Sequence, residues 1–349
     1  MSHLFRFCKE LTSLNLNNFD VSEVEDMSYM LSSCIALKEL DLTNFKNNKK
    51  IKNIAYMFYD CRLLKTIELP EFDTTNVVNM SHLFENNIVL TKLEIPLFKT
   101  GNVVDMSSMF LDCTLLEKID VSNYDTRNVK NMAQMFEGCV ALTSLDLSSF
   151  NTEKVEDMSN MFKFDYHLVS LRLSSFNTKN VKDMSSMFQY CTNLNDLDIY
   201  NFDTSKLANT ANMFNECRSL TSLRFNSFQS ENMAQMFDGC FNLGSIDFSK
   251  IITNNVKNMS CLFRDCRIIE SIDLSKIDTS NVRDMSYMFS GCSGLKEINL
   301  EKFDTKKVQD MACMFKGCSS ISSLNLNNIV TNEVTDMYGM FQGCSNLKQ

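Results

Sequence analysis

Residues that interrupt regular structure are scarce in this chain. Its 349 residues include two prolines and nine glycines, so no stretch has the composition of a linker or a disordered tail. No run of 18 or more apolar residues occurs, which argues against a membrane-spanning helix. The three histidines, His3, His82 and His167, fall in different repeats, which argues against a metal site or a catalytic triad.

Positive charge is also in short supply. The chain has 34 Lys and Arg against 43 Asp and Glu, a net charge of −9, whereas a nucleic-acid binder needs a basic face to neutralise phosphates. No glycine-rich phosphate-binding loop is present, and no serine pairs with a nearby base. We therefore expect no enzyme activity, no cofactor, no metal and no nucleic-acid partner.

The two ends show no sign of export signals or caps. The first residues, Met1-Ser2-His3-Leu4-Phe5, match Met80-Ser81-His82-Leu83-Phe84, so the chain begins inside a repeat and no signal peptide is expected. It stops at Leu347-Lys348-Gln349, where another strand should begin. Because solenoids normally carry polar caps, this predicts a fragment of a longer array, in which end-to-end self-association is possible.

What the chain does have is a repeat. Each repeat has two positions, three residues apart, that are usually Met, as at Met285 and Met288. We define the anchor of the repeat as the residue that follows the second of these positions. Eleven of the thirteen intervals between anchors are 26 residues, one is 27 and one is 23. Such a period is typical of a solenoid. The anchors are Phe5, Leu31, Phe58, Phe84, Phe110, Phe136, Phe162, Phe188, Phe214, Phe237, Phe263, Phe289, Phe315 and Phe341.

Five residues before the anchor, every available repeat has Asp or Asn, for example Asp26, Asn53 and Asn79. This interchange indicates a short side-chain acceptor, as at a helix N-cap. Apolar residues follow at positions −4, −1, 0 and +3 from the anchor, a spacing that predicts a helix of about two turns. All 23 methionines occupy positions −4 and −1, where we expect core packing rather than a binding surface. Glycine at +2, as in Gly138, predicts a left-handed end.

Twelve of the fourteen cysteines occupy position +3. A small hydrophobe once per repeat predicts buried free thiols, although some disulfides or a metal role stay open. Next comes Leu-x-x-Leu-x-Leu, as at 142–147, which predicts a strand with one buried face. The expected fold is an α/β solenoid of about thirteen 26-residue coils, each with one parallel β-strand and one short helix. Residues 1–349 would form one domain, with irregular coils near 46–51 and 228–233.

The run from Ile277 to Cys292, Ile-Asp-Thr-Ser-Asn-Val-Arg-Asp-Met-Ser-Tyr-Met-Phe-Ser-Gly-Cys, followed by Leu295-x-x-Ile298-x-Leu300, resembles the BspA-type leucine-rich repeat of bacterial and protist surface proteins. The resemblance extends over essentially the whole chain. It implies a leucine-rich-repeat-like solenoid, non-enzymatic, secreted or on a cell surface, and engaged in adhesion to host or matrix proteins.

Solenoids bind ligands on exposed strand positions. We call the column between the last two strand leucines the strand-face column, and eight of its thirteen residues are acidic. Stacked acids could attract basic partners or cations, or could be a solvated face relieved by Arg172, Arg224, Lys92 and Lys118. The candidate ligand-binding residues are Asp41, Glu68, Glu94, Asp120, Asp146, Arg172, Asp198, Arg224, Asp247 and Asp273.

Two functions remain open at this point. One is a protein-binding solenoid at the cell surface whose ligand is basic or host-derived. The other is an intracellular, cytoplasmic scaffold or a truncated repeat fragment without independent function, which the free thiols and the missing signal peptide favour.

Overall fold

A computed structural model describes residues 1–42, 45, 48–69, 72–95 and 98–348 of the chain. They form two compact units, Met1–Asn177 and Thr178–Gln349. Within each unit the backbone winds into stacked coils, and each coil contacts the next through parallel pairing. One continuous solenoid over 1–349 stays a prediction.

The Asp/Asn column forms the most regular ladder in the described part of the chain. Isolated parallel bridges join Asp26 to Asn53 and continue to Asp157 in the first unit, and join Asp183 to Asn209 and continue to Asp336 in the second. In each unit the described residues form a β-solenoid, with about 11 coils of about 26 residues in all. The predicted count of about thirteen coils is not supported.

The predicted helix is wrong. The segment around each anchor is a series of turns, and the described residues contain no α-helix. Alternate amides make different bonds: the amide of Met30 donates to Met27 O (3.2 Å), whereas that of Tyr29 donates to Ala55 O in the next coil (3.0 Å). Tyr29 and Ser33 have φ of 57° and 59°, which a right-handed helix does not allow. Stacking therefore replaces helical hydrogen bonding.

The predicted role of the Asp/Asn side chain is confirmed in kind, but it closes a turn rather than a helix. Oδ1 of Asp26 accepts the amide of Ser28 (2.8 Å), and Oδ1 of Asn53 accepts that of Ala55 (3.0 Å). A carboxylate and an amide oxygen serve equally, which explains the interchange. The predicted left-handed position at +2 is also confirmed, with φ of 70° at Gly138.

Strands are short and pair two by two, parallel and in register: β1 with β2, β3 with β4, β5 with β6, β7 with β8, β9 with β10, and β11 with β12. One parallel strand in every coil would form a single long sheet, whereas the described residues form two-stranded sheets. A 3₁₀ turn covers Phe248–Lys250. The strands are β1 Ser13–Asn15, β2 Glu39–Asp41, β3 Thr66–Glu68, β4 Lys92–Glu94, β5 Ser144–Asp146, β6 Ser170–Arg172, β7 Asp196–Asp198, β8 Ser222–Arg224, β9 Phe228–Gln229, β10 Ile251–Ile252, β11 Ser271–Ile272 and β12 Glu297–Ile298.

Inside the coils, the anchor phenylalanines stack on one another. The Phe84 and Phe110 rings are 5.7 Å apart, and the Phe110 and Phe136 rings 5.6 Å. Most methionines of positions −4 and −1 are fully buried, which confirms their core role. The cysteines are free and mostly buried, as predicted. Most thiols at position +3 donate to the anchor carbonyl of the preceding coil, as Cys139 Sγ does to Phe110 O (3.2 Å).

The two irregular intervals can be placed in part. The irregular coil predicted near 46–51 begins with residues 46 and 47, which lie outside the described residues. Near 228–233, where three residues are missing from the repeat, β9 and β10 pair. The hydroxyl of Ser230 donates to Ala208 O at 3.1 Å, so a side-chain hydrogen bond joins the two coils at this point.

Candidate functional site

The strand-face column is exposed, as an alternating strand requires, except at Asp41, which is half-buried. In β3, β5 and β7 the central residue is buried and its two neighbours are exposed. Pairing brings Glu68 opposite Glu94, Asp146 opposite Arg172, and Asp198 opposite Arg224. Asp41 ends β2 opposite Asn15. Asp120, Asp247 and Asp273 lie outside the strands.

Cations from neighbouring coils neutralise much of the column. Lys92 Nζ lies 2.9 Å from Glu68 Oε1 and 3.0 Å from Glu94 Oε1. Arg172 and Arg224 contact Asp146 and Asp198, each at 3.1 Å. For these residues the structure favours the interpretation of a solvated, charge-balanced face over an unrelieved acidic stripe. All the groups are exposed, so each pair adds little to stability.

Several acids of the column also close the turn that follows the strand. Oδ1 of Asp120 and Oδ1 of Asp273 accept the backbone amides of Ser122 (3.0 Å) and Ser275 (2.9 Å). The hydroxyl and amide of Ser122 lower the pKa of Asp120. The asparagines of this column, such as Asn15, make the same bond. This structural role was missed from the sequence, although Asn15, Asn299 and Asn325 signalled it.

A cavity of about 380 Å³ opens beside β4. Residues 118–120 occupy the next coil but form no strand. Its wall combines apolar side chains with charged ones. The cavity is lined by Leu93, Glu94, Ile95, Phe98, Lys118, Ile119, Asp120, Asn123 and Tyr124. Glu94 and Asp120 are the only predicted site residues that the structure brings together around this cavity.

Tyr124 was not predicted as a site residue. Its side chain is 4% exposed, and its enclosed hydroxyl has no hydrogen-bond partner in the part of the chain that the structure describes. Burial, and secondarily the charge of Asp120, raises the pKa of Tyr124. The available signal was its position: every other residue of the column that closes the strand turn is Phe or Ile, as at Phe98 and Phe150.

A second surface feature missed from the sequence is a row of aromatic rings on the turn side of the first coils. His3, Tyr29, Tyr56 and His82 stack with centroid distances of 4.8, 4.4 and 4.1 Å. The guanidinium of Arg6 lies 4.6 Å from the Tyr29 centroid. The four rings share position −2 from the anchor, so the spacing alone could have revealed the row.

The buried cysteines of position +3 offer little reactivity in the folded state. Burial raises the pKa of Cys34 to about 11 and that of Cys318 to about 12, so both are thiols at neutral pH. In the described part of the chain no three His, Cys, Asp or Glu side chains are grouped to hold a metal ion. Nor is any helix among these residues long and apolar enough to cross a membrane.

The repeats match the sequence model of a family described as "Mycoplasma protein of unknown function, DUF285" at residues 1–87, 64–167, 141–244 and 231–349. The chain belongs to this family. These four matches extend over all the coils of this DUF285 protein. No curated protein sequence matches it.

Among solved structures, this DUF285 chain is similar to a leucine-rich repeat protein of Bacteroides ovatus, with 18% identity over 82% of this chain and 78% of that one and a TM-score of 0.45. A leucine-rich cell surface protein of Faecalibacterium prausnitzii shares 15% identity over 99% and 73%, with a TM-score of 0.36. A leucine-rich repeat protein of Eubacterium ventriosum shares 14% over 97% and 81%, with a TM-score of 0.35.

Proposed function

We propose that this chain is a non-enzymatic, protein-binding solenoid of the BspA type, secreted or displayed on a cell surface, where it mediates adhesion to a host or matrix protein. The ligand contacts the strand face, and the contacting residues are those of the strand-face column in the first unit, Glu68 to Asp146. The turn side, apart from its aromatic row, serves as scaffold.

The observation that carries this proposal is the exposed, in-register order of the strand face. Apolar side chains of the coils are directed inward, whereas charged and hydroxyl side chains repeat on the outside, as in the pairs Ser144–Ser170 and Asp146–Arg172. A rigid row of polar groups loses little conformational freedom when a partner binds. Glu68 and Glu94 share the single ammonium of Lys92, and no described cation pairs with Asp120, so this part of the row keeps a small net negative charge that suits a basic partner.

The test uses the purified chain on wells coated with a basement-membrane matrix preparation. A quadruple variant, Glu68→Gln, Glu94→Gln, Asp120→Asn and Asp146→Asn, should bind about tenfold more weakly or worse, because it removes the acidic groups that attract a basic partner. Binding by the native chain should weaken as salt increases.

A charge-matched control neutralises four acids of the turn ladder where the repeats also use Asn: Asp26→Asn, Asp105→Asn, Asp157→Asn and Asp310→Asn. It should bind the matrix within about twofold of the native chain, since the strand face is unchanged. Equal binding by the native chain and the strand-face variant would contradict the proposed contact surface.

An intracellular scaffold is the second candidate, and the column of free buried thiols supports it, because free thiols are typical of reducing compartments. Treatment of intact producing cells with a protease separates the two. Loss of the chain from intact cells fits surface display, whereas protection until lysis fits the scaffold.

A further inference from the structure

The corner between each anchor turn and the following strand is apolar along six successive coils of the first unit. Positions +4 and +5 from the anchor form this corner, and each of the six coils has an exposed or half-buried apolar side chain there. We call one residue from each coil the apolar ridge: Ile35, Leu63, Ile88, Leu115, Val140 and Tyr166. In the second unit, position +5 is polar or glycine in every coil except that of Ile268, so the repeat does not require an apolar corner.

Hydrogen bonds between coils make the ridge a continuous surface. The hydroxyl of Thr114 donates to Ile88 O at 2.8 Å, and the imidazole of His167 lies 2.9 Å from Val140 O. The amide of Ala141 donates to Thr114 O at 3.1 Å. Six coils spaced about 4.8 Å apart give a ridge about 24 Å long. A contiguous exposed apolar surface is typical of a docking site.

Charges of opposite sign flank the ridge. Position +1 or +2 has a carboxylate before it, and position +7 or +8 has a lysine after it. Three successive coils share this arrangement, with Asp60 and Lys65, Glu85 and Lys92, and Asp112 and Lys118.

The coil of Asp112 and Lys118 has the least neutralised flanks. The carboxylates of the other two coils pair with Arg62 and His82, whereas neither Asp112 nor Lys118 has an ion-pair partner among the described residues. Burial raises the pKa of Asp112, and an ammonium beside it would lower that pKa again. This coil therefore presents an unpaired carboxylate and an unpaired ammonium on the two sides of the ridge.

A second copy of the chain fits this pattern in one orientation. A two-fold axis parallel to the direction of coil stacking would place ridge against ridge, each coil opposite the same coil, and would exchange the flanks. The carboxylate flank of each copy would then face the lysine flank of the other. A two-fold axis across the coils would instead bring carboxylate against carboxylate, which like-charge repulsion disfavours.

The size of the surface fits a weak dimer. The six residues from position +2 to position +8 span at most about 20 Å, so the ridge and its flanks offer about 500 Å² on each copy and about 1,000 Å² in all. This total is near the lower limit of specific interfaces, so we expect a dissociation constant on the order of tens of micromolar.

We propose that the apolar ridge is a self-association surface on which a second copy of this chain docks side by side, with its coils in the same order. Leu115 of one copy contacts Leu115 of the other near the axis, and Asp112 of each copy contacts Lys118 of the other. The ridge lies beside the strand face, and its pairing does not depend on the adhesive function.

Sedimentation velocity of the full chain from about 1 to about 200 μM tests the association. The native chain should pass from monomer to dimer, whereas the variant with Leu63→Ser and Leu115→Ser should stay monomeric, because it loses the most exposed part of the ridge. Serine is the residue of position +5 at Ser219 and Ser320. The matched control is Ile268→Ser, which removes an equally exposed residue at +5 in the second unit and should leave the dissociation constant within about twofold.

Charge reversal tests the orientation. Asp112→Lys and Lys118→Asp should each weaken the dimer about tenfold or more, since each places like charges together at both symmetry-related contacts. The double variant should restore the dissociation constant to within about threefold, because the pairs form again with opposite sign. Glu117→Gln should strengthen the dimer, because it removes a carboxylate that repels Asp112 of the other copy.

Cross-linking gives a second measure of the orientation. Leu115→Cys, in a background in which Cys8→Ser removes the exposed native thiol, should form a reducible dimer on mild oxidation, because the two-fold axis brings the two copies of residue 115 together. Ile268→Cys in the same background should stay monomeric.

Three results would overturn the inference. One is a native chain that stays monomeric up to about 200 μM. Another is association that the double serine variant leaves unchanged, which would show that the copies meet elsewhere, for example end to end. The third is a dimer that neither charge reversal weakens and that Leu115→Cys does not cross-link, which would exclude the proposed orientation. Circular dichroism of each variant confirms that it is folded.

Discussion

At the scale of single residues, Asp165 is an unfavourable residue at position +3 from the anchor. In most coils this position is a cysteine whose thiol donates to the anchor carbonyl of the preceding coil. Asn87 makes the same bond through its side-chain amide, 2.9 Å from Phe58 O. Asp165 is completely buried, and among the described residues neither of its carboxyl oxygens has a hydrogen-bond partner. Burial raises the pKa of Asp165 well above its ordinary value, so the fold favours its neutral form.

Asp165→Cys should therefore increase the free energy of unfolding, by about 1–3 kcal/mol at pH 5 and by more at pH 8. The unfolded carboxyl titrates near pH 4, whereas the folded one titrates higher. Native stability consequently falls as pH rises from about 4 toward the folded pKa, and the variant lacks this loss. Urea unfolding under reducing conditions, monitored by circular dichroism at both pH values, measures the difference.

The matched control is Asp157→Asn in the same coil. It removes one carboxylate but keeps the oxygen that accepts the amide of Ser159, so stability should change by less than about 0.5 kcal/mol at either pH. A stabilisation by Asp165→Cys that is the same at pH 5 and pH 8 would mean that the carboxyl is not neutral in the fold.

At the scale of elements, the turn around each anchor depends on residues with positive φ. Among the described residues, twenty-two that are not glycine adopt it, including His3 and Tyr29. A left-handed backbone conformation destabilises a non-glycine residue by about 1–2 kcal/mol, and backbone hydrogen bonds between adjacent coils offset this cost. Because these hydrogen bonds need the neighbouring coil, a single repeat would not keep the conformation.

The same dependence explains which elements the sequence could predict. Residue types at fixed positions of the repeat predicted four features. They are the hydrogen-bond acceptor at Asp26, the left-handed Gly138, the buried thiol of Cys139 and the strand at 144–146. The helix prediction was wrong because a stacked turn, whose side chains alternate between the inside and the outside, also places apolar residues three and four positions apart. Only the hydrogen bonds between coils distinguish such a turn from a helix, and the sequence of a single repeat does not reveal them.

The contact between Gly138 and Asp112, which occupy position +2 in successive coils, can be tested directly. A Cβ at Gly138 would lie 2.3 Å from Asp112 Oδ1 in the preceding coil, whereas a Cβ at Gly317 would meet only Gly291, at 3.7 Å. Their φ values are 70° and 74°, so alanine is equally strained by the backbone at both. Gly138→Ala should therefore destabilise the chain more than Gly317→Ala, by about 0.5–3 kcal/mol.

Asp112→Gly should abolish this excess, because it removes the contacting carboxylate. A double-mutant cycle over Gly138→Ala and Asp112→Gly, measured by urea unfolding, gives the coupling free energy. A coupling near zero would show that the Asp112 side chain rotates away without loss.

At the scale of the whole molecule, the sequence predicted which residues form the exposed strand face, but it did not predict the cavity on that face. The strand-face column is exposed as expected, yet Lys92 and Arg172 balance its charge through rotamers that sequence spacing does not define. The cavity near Tyr124 lies where no strand forms at 118–120, although Leu116 and Val121 satisfy the repeat there. Sites of this kind arise where one coil departs from its neighbours.

A solenoid should also transmit damage only locally, because each coil packs on its immediate neighbours. Leu197 in β7 is 1% exposed and lies opposite Leu223 of β8. Leu197→Ala should lower the free energy of unfolding by about 2–5 kcal/mol. Hydrogen exchange read by mass spectrometry should show lost protection in the coils of Leu197 and Leu223, while amides at 308–318 keep theirs.

Asp198→Asn is the control for Leu197→Ala, since it alters the adjacent exposed side chain and should change stability by less than about 0.5 kcal/mol. A similarly small effect of Leu197→Ala would contradict the strand register, because a buried leucine cannot be truncated without leaving a cavity. Uniform loss of protection through residues 178–348 would instead show that the second unit unfolds as a single cooperative block, in which case nearest-neighbour packing does not set its stability.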